Sequence, residues 1–357
     1  MRCGSRDTKW KTDMPQTAAS PSLPTALRVQ APGRLHLGFL DPAGTLGRRF
    51  GSLGLVVDGP ETVVELTRAS KDESSAATPA AAAELARARA HIDALRRATG
   101  QTAPLNLHLA QVLPAHAGFG SGTQLALAVG RAFSSMFGLA LPTTRLARIT
   151  GRGLRSGVGI AGFDQGGLLL DGGPRAEGEP APVLSRLLLP PAWRVLLVLD
   201  ERARGLAGAE EVAALATLAP LPREGAAEIC HEVLMRVLPG AAGAEFAPFA
   251  AGLTRVQRLL GQHFAAAQSG QVFASAAVGR LIEWIGTHTP AAIGQSSWGP
   301  TGFAVLPSAE AAEAIMQSAR AAGMVDAGLE LHTVRAREHG ALLTALDASH
   351  SLTANNT

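Results

Sequence analysis

Lysine is nearly missing from this sequence. Only Lys9, Lys11 and Lys71 occur, and the other 29 of 32 cationic residues are arginine. Lys9 and Lys11 lie in a polar N-terminal stretch and Lys71 in a Ser/Asp/Glu/Ala segment that reads as a loop. A phosphate-loop lysine, a pyridoxal Schiff base and a protein-kinase strand lysine are therefore excluded from a structured core. The two cysteines, Cys3 and Cys230, are too few for a disulfide framework and lack zinc spacing, which leads us to expect a reducing, cytoplasmic compartment. Tyrosine is absent, aromatics make up 4% and no basic helix is clustered, so nucleic acid is not the expected partner. Long apolar runs are also lacking. The stretch Leu187 to Leu199 is cut by Pro190, Pro191 and Arg194, well short of the roughly 18 to 20 residues of a membrane helix, and no membrane partner is expected.

What remains is a chain of 357 residues, 46% hydrophobic and 17% charged, a globular composition whose length favours two closely packed domains. A formal charge of +3, carried almost wholly by arginine beside glycine-rich loops, suits planar recognition of small anions. Residues 1–25 have no periodicity and no apolar core of a signal peptide, and are expected to be a disordered head, with Met14 a second candidate start. Residues 26–190 and 191–340 are expected to form the two domains, and 341–357 a C-terminal tail.

Alternation of Leu35, Leu37 and Phe39 with Arg34, His36 and Gly38 predicts a half-buried strand with one apolar and one chemical face. Strands are expected at Ser52–Asp58 and Thr62–Thr67 around a Gly59-Pro60 turn, then a helix over Pro79–Thr99 stopped by Gly100. A strand at Leu105–Leu109 leads to a glycine-rich loop and a helix from Gln124. In the second half, strands are expected at Trp193–Asp200, Ala291–Gln295, Gly302–Leu306 and Leu329–Arg335. Helices fall at about Ala226–Leu238, Phe246–Ala267, Ser275–Thr287 and Ala309–Ala322. The mixture without strict alternation indicates α+β.

Three glycine-rich segments carry the chemistry. Pro114-Ala-His116-Ala-Gly118-Phe-Gly120-Ser121-Gly122-Thr123-Gln124 passes from strand to helix, where unpaired amides and hydroxyls suit a phosphate; the bland reading is a turn with an N-cap. Arg152 to Gly167 contains a GxGxxG at Gly157, Gly159 and Gly162, but it follows a helix rather than a strand and is not a dinucleotide fingerprint. Within it, Arg152, Ser156, Gly157 and Asp164 are candidates for lining a phosphate or metal site, against a surface turn with a solvated carboxylate. Gly294 to Gly302, with Ser297, joins two strands, and the three loops are expected to meet in a cleft between domains. His116 and His36 are candidate proton carriers, His36 equally a structural histidine. Arg48 and Arg49, and more weakly Arg202 and Arg204, are further phosphate candidates.

The phosphate loop resembles the P-x-x-x-G-L-G-S-S-x-A motif of the GHMP kinase superfamily, with Phe119 in place of Leu and Gly122 in place of the second Ser. HxGxGSGTQ, RLHLGFLD, RSGVGIAGFDQGG and GQSSWGPTG together more closely resemble the β-ribofuranosylaminobenzene 5'-phosphate synthase family, from about Arg28 to Glu338. The resemblance implies an α+β, two-domain GHMP-kinase-like fold, with an N-terminal mixed β-sheet with helices and a C-terminal ferredoxin-like α/β sandwich. It also implies decarboxylating phosphoribosyl transfer from phosphoribosyl pyrophosphate to 4-aminobenzoate or 4-hydroxybenzoate, as in tetrahydromethanopterin biosynthesis. Under that reading Gly118, Gly120, Ser121, Gly122, Thr123 and Gln124 cradle pyrophosphate, Arg34 pairs with substrate anion, and Asp41 and Asp164 hold Mg2+. The alternatives are an ATP-dependent small-molecule kinase and a catalytically silent binding relative. A homodimer is the base-rate expectation.

Overall fold

The structure, a computed structural model, describes residues 23–153, 155–175, 181–206 and 209–346. Expectations for residues 1–22 and 347–357 lie outside them. In chain order come β1 (Ala26–Asp41), β2 (Phe50–Arg68), β3 (Glu73–Ala76), α1 (Pro79–Thr99), β4 (Leu105–Gln111), α2 (Ser121–Met136), α3 (Thr143–Ile149), α4 (Val158–Gln165), β5 (Leu168–Asp171) and β6 (Val183–Leu187). The second half contributes β7 (Arg194–Asp200), α5 (Ala209–Thr217), α6 (Arg223–Glu232), α7 (Leu238–Ala242), α8 (Phe246–Phe264), α9 (Ala276–His288), β8 (Ala292–Gln295), β9 (Gly302–Leu306), α10 (Ala309–Ala321), β10 (Leu329–Val334) and β11 (Leu342–Ala345). A π-helical turn, Val233–Val237, joins α6 to α7.

The first sheet has seven strands, ordered β11-β1-β2-β4-β3, with β5 on β2 and β6 on β5. Only β3 pairs in parallel, with β4, so this sheet is mixed. The second is the four-stranded antiparallel β10-β7-β9-β8. Two expectations are corrected. Ser52 to Thr67 lies in one long strand: β2 pairs with β1 from Phe50 to Val56 and again from Glu61 to Thr67, and residues 57–60, with Gly59 at φ +97°, bulge between the two runs instead of reversing the chain. Residues 342–345 are not tail, because Leu342 to Ala345 pair with Gln30 to Leu27 and return the C-terminal end of the chain to the first sheet.

The two sheets do not have separate cores. Leu35 and Leu37 of β1 share one buried cluster with Trp193 before β7, Leu197 of β7, Phe249 and Leu253 of α8, and Phe303 of β9. On the opposite face of the first sheet, Val29, Val64 and Leu109 pack with Ile92 and Leu95 of α1 and Leu127 and Phe133 of α2. A third cluster lies between the second sheet and α9 and α10. Strand β1 thus fixes the cleft from beneath, with Leu35 and Leu37 inward and Arg34 and His36 on the other side of its pleat.

Of the GxGxxG glycines, Gly159 and Gly162 fall inside α4 and Gly157 is its N-cap, so the segment is not a loop. Gly162 lets the helix lie on β2, since a Cβ there would stand 2.8 Å from Val56 Cγ2. The fully buried Asp171, which sequence reasoning passed over, caps α4: its carboxylate accepts from Gly157 N (2.7 Å), Val158 N (3.2 Å), Gly173 N (2.8 Å) and Ser52 N (3.1 Å). Asp171→Ala would strand four amides that water cannot reach. We expect a loss of about 2 to 4 kcal/mol in urea unfolding, and a loss below about 1 kcal/mol would show that α4 is held by its apolar contacts alone.

Candidate active site

Strand β4 hands the chain to Leu113, whose N–H donates to Thr62 Oγ1 (3.1 Å) and pins the start of the phosphate loop. From there alternate residues enter the core: Ala117 and Phe119 are buried, and the intervening glycines turn their backbone outward. Gly118 and Gly120 have φ of +94° and +76°, conformations that a side chain disfavours. Helix α2 begins at Ser121, three residues before the expected Gln124, because left-handed Gly120 starts it without a side-chain cap. Thr123 N and Gln124 N close on Gly120 O (2.9 and 3.1 Å), which leaves the Ser121 and Gly122 amides at the positive end of the helix.

Arg34 lies beneath this loop. Its Nη1 donates to Gly118 O (2.8 Å), its backbone N–H to Phe119 O (3.1 Å), and its buried Nε has no partner. Burial pulls the guanidinium down to about 10, against the opposing pull of Glu211, and it stays charged at neutral pH. A Cβ on Gly120 would stand 3.0 Å from Arg34 Cζ, and one on Gly122 3.3 Å from Arg152 Nη1. The Arg152 guanidinium makes no hydrogen bond among the described residues, and its Nε is buried without a partner. Two guanidiniums with unfilled donors therefore flank the glycines. The hydroxyls of Ser121 and Thr123 at the start of α2 complete the donor set.

The third loop closes the cleft. Ser296 Oγ, fully buried, accepts from His36 N (3.0 Å) and donates to Gly118 O (2.7 Å), and Ser297 N donates to His36 O (3.1 Å). Ser297, the predicted residue, contributes backbone here, and Ser296 beside it is the link that sequence reasoning missed. Gly299 lies so close to the phosphate loop that a Cβ would meet Ala117 C at 2.4 Å. His116 Nε2 is 3.0 Å from Arg204 Nη2; a guanidinium only donates, so Nε2 accepts and the ring is neutral. Partial burial, then Arg204 and Arg87, push His116 below the ordinary histidine value. Burial first, with Arg34 and Arg155 adding to it, takes His36 down to about 3.

These contacts join Arg34, His36, His116, Gly118 to Thr123, Arg152 and Ser297 in one place. They do not join the rest. Gln124 is buried and donates from Nε2 to Gly159 O (3.0 Å), tying α2 to α4 instead of facing substrate. Ser156 and Gly157 turn to Asp171. Asp164, near the end of α4, accepts from Thr143 Oγ1 (2.6 Å) and from Nη2 (3.1 Å) of Arg131, a residue ten positions along α2 from Ser121. Asp41 is buried and accepts from Gly44 N (2.8 Å) and Leu46 N (2.7 Å). Asp41 accepts on both carboxylate oxygens and Asp164 on Oδ1 alone, and no group of three ligating side chains occurs among the described residues. Arg202 is bound to Asp200 and Asp326, and Arg49 to Pro42 O.

Residues 74–171 match the family model for the GHMP kinases N terminal domain. The beta-ribofuranosylphenol 5'-phosphate synthase of Archaeoglobus fulgidus is 35% identical over 295 residues, which cover 79% of this chain and 88% of that protein. The chain belongs to the beta-ribofuranosylphenol 5'-phosphate synthase family. Among solved structures, the homoserine kinase of Cytophaga hutchinsonii superposes with a TM-score of 0.66 at 17% identity, covering 92% of this chain and all of that one. MDDEF in complex with MVAPP, AMPPCP and magnesium superposes at 0.62 with 14% identity, covering 90% and 99%. At such identities the likeness shows the fold, and magnesium accompanies a nucleotide analogue in that neighbour. Among the described residues of this synthase-family chain, no helix is long and apolar enough to cross a membrane.

Three outcomes check this geometry. Gly118→Ala places a Cβ 2.5 Å from Ser296 O at positive φ, so we expect a stability loss of about 1 to 3 kcal/mol in denaturant unfolding and lost pyrophosphate affinity by calorimetry. Asp164→Asn should leave the magnesium dependence of activity superimposable on wild type; a shifted curve would restore Asp164 as a ligand. His36 has a folded value near 3 against an ordinary 6.5, so between these the unfolded chain binds the extra proton. Stability should rise with pH across that window and fall on acidification, and His36→Leu should flatten the slope measured in urea from pH 4 to 6.5.

Proposed function

We propose that this chain joins the anomeric carbon of phosphoribosyl pyrophosphate to the carboxylate-bearing ring carbon of 4-hydroxybenzoate or 4-aminobenzoate, with loss of carbon dioxide and pyrophosphate. The observation that carries it is the pair of guanidiniums with unfilled donors, Arg34 and Arg152, on either side of a glycine loop at a helix N-terminus. That is a cradle for a strongly charged leaving group. The relative's name supplies the phenol riboside product, and an amine in the same para position would satisfy the same chemistry.

The step balances without a proton. As the C–O bond to pyrophosphate breaks, pyrophosphate keeps the electron pair and the sugar gains oxocarbenium character. The ring carbon, made electron-rich by the para donor, supplies the pair for the new C–C bond. Its bond to the carboxylate then breaks, the pair restores the aromatic ring, and carbon dioxide departs. The protein's task is to hold growing negative charge in a cleft closed by Ser296 to Gly299. Ser121 and Gly122 amides, Ser121 and Thr123 hydroxyls, Arg34 and Arg152 would do this. Neutral His116 positions Arg204 at the loop entrance, a role that replaces the proton carrier expected from sequence. Magnesium, where bound, would neutralise charge on the leaving pyrophosphate; Asp41, engaged on both oxygens, fits a ligand role poorly, and Asp164 has only Oδ2 open for it.

A kinase reading requires a group that accepts the proton of the attacked hydroxyl. Where α4 faces the phosphate loop, 3.4 Å from Thr123 Cγ2 and 3.9 Å from Arg34 Nε by Cβ position, the residue is Gly159, so α4 supplies no such group there and the neutral imidazoles of His36 and His116 are left for that role. The test follows the bond made. Carboxyl-labelled 4-hydroxybenzoate should release label as carbon dioxide in equal amount to pyrophosphate, without ATP. Pyrophosphate with the label retained would mean N- or O-ribosylation, and ATP consumption would mean a kinase. Ser121→Ala should lower turnover by about 10 to 100-fold with an unchanged carbon dioxide to pyrophosphate ratio.

A further inference from the structure

A pocket opens on the far side of His36 from Arg34, between β1, the end of α8, β8 and the third loop. It is walled by aromatic rings: Phe264 and Trp298 lie 4.5 Å apart at 47°, Phe39 stands edge-on to the His36 ring at 4.6 Å, and Phe273 lies deeper. The three amide side chains in its lining are already used by the framework. Gln257 bridges Leu37 O (2.6 Å) and Gln295 N (2.9 Å). Gln295 accepts from Ala274 N (2.6 Å) and donates to Gln268 Oε1 (3.0 Å), and Gln268 donates to Val272 O (3.2 Å). The buried polar atom left without a partner in this lining is His36 Nε2, on a residue 3% exposed.

The pocket has a direction. His36, Ser297 and Trp298 form the end next to the phosphate loop, because Ser296 Oγ links His36 N to Gly118 O and Gly299 rests on Ala117. Val272, Phe273 and Ile293 form the far end, in the cluster beneath α9. Arg258 and Glu283, paired at 3.9 Å and half exposed, stand at the solvent edge of the lining. A flat apolar ring with one polar group at the loop end matches the buried part of this lining.

Resting on the transfer reading above, we propose that this pocket is the acceptor site, in which the benzoate ring lies against Phe264 and Trp298 and its carboxylate meets His36 Nε2. The ring carbon to be bonded then faces the phosphate loop and the para group points towards Phe273. A neutral imidazole N–H orients the carboxylate by one hydrogen bond without holding it as an ion pair. That suits a group that must leave as uncharged carbon dioxide. Arg34 keeps its Nη1 on Gly118 O, and Arg258, the cation in the lining, faces Glu283. His36 Nε2 makes no bond within the protein, so replacing the imidazole by an apolar side chain of similar size forfeits no hydrogen bond from it, which makes the assignment testable apart from folding.

The experiment titrates 4-hydroxybenzoate and phosphoribosyl pyrophosphate separately into the full chain by calorimetry. His36→Leu and Phe264→Ala should each weaken 4-hydroxybenzoate at least tenfold and change phosphoribosyl pyrophosphate less than twofold. His36→Leu should leave Tm equal or higher, and His36→Gln, which can still donate, should recover part of the affinity. Phe264→Leu keeps the volume and carries the test if Phe264→Ala does not fold. No binding of 4-hydroxybenzoate to wild type, unchanged affinity in the variants, or equal weakening of both ligands would each overturn the pocket, whether or not carbon dioxide is released. Binding with the expected variant pattern but no carbon dioxide would uphold the pocket and remove the transfer reading.

Discussion

One carbonyl oxygen holds the cleft together. Gly118 O accepts from Arg34 beneath the loop and from Ser296 in the second half of the chain, 178 residues away. Because the same Ser296 hydroxyl accepts from His36 N, strand β1, the phosphate loop and the β8–β9 loop share a single buried hydrogen-bonded junction. Glycine is needed at this point: a left-handed φ and an approach to Ser296 O that would put a Cβ at 2.5 Å leave no room for a side chain. The cleft is consequently a property of both halves.

The electrostatics follow from burial as much as from charge. Arg34 keeps its charge although largely buried because an arginine starts so high, whereas His36 in the same strand loses its proton to desolvation and to Arg34 and Arg155. Two residues apart on β1, one side chain therefore supplies permanent positive charge to the anion cradle and the other a neutral polar group to the aromatic pocket. Arginine in place of lysine is consistent with this use, since a buried lysine would tend to lose its proton.

Much of the fold was legible. Period-two alternation gave the strand around Arg34 and His36, the Pro79 to Gly100 boundaries of α1 carry ordinary start and stop signals, and the strand-to-loop-to-helix pattern located the phosphate loop. Reasoning failed where contacts far apart in sequence override local signals. Gly59-Pro60 reads as a turn but lies in a bulge of β2 between two runs paired with β1, and Leu342 to Ala345, counted with the tail, become β11 because β1 has an open edge. The GxGxxG stretch reads as a loop but is helical, since Asp171, at least thirteen residues on from the amides it meets, caps it.

The sequence alone determined the chemistry on offer: glycine loops, arginine in place of lysine, two histidines near the first strand and phosphate loop, and the family these motifs resemble. Which of those residues share a site was decided by the tertiary structure. Whether a carboxylate is free to hold a metal depends on the donors around it, and Asp41 and Asp164 are claimed by Gly44, Leu46, Thr143 and Arg131. Whether a serine or histidine faces a ligand or the framework is equally a matter of packing. Ser296, Asp171 and the unpartnered His36 Nε2 emerged only once β1, α4 and the β8–β9 loop were brought against the phosphate loop, because a hydrogen bond between residues more than a hundred positions apart leaves no periodic trace in the chain.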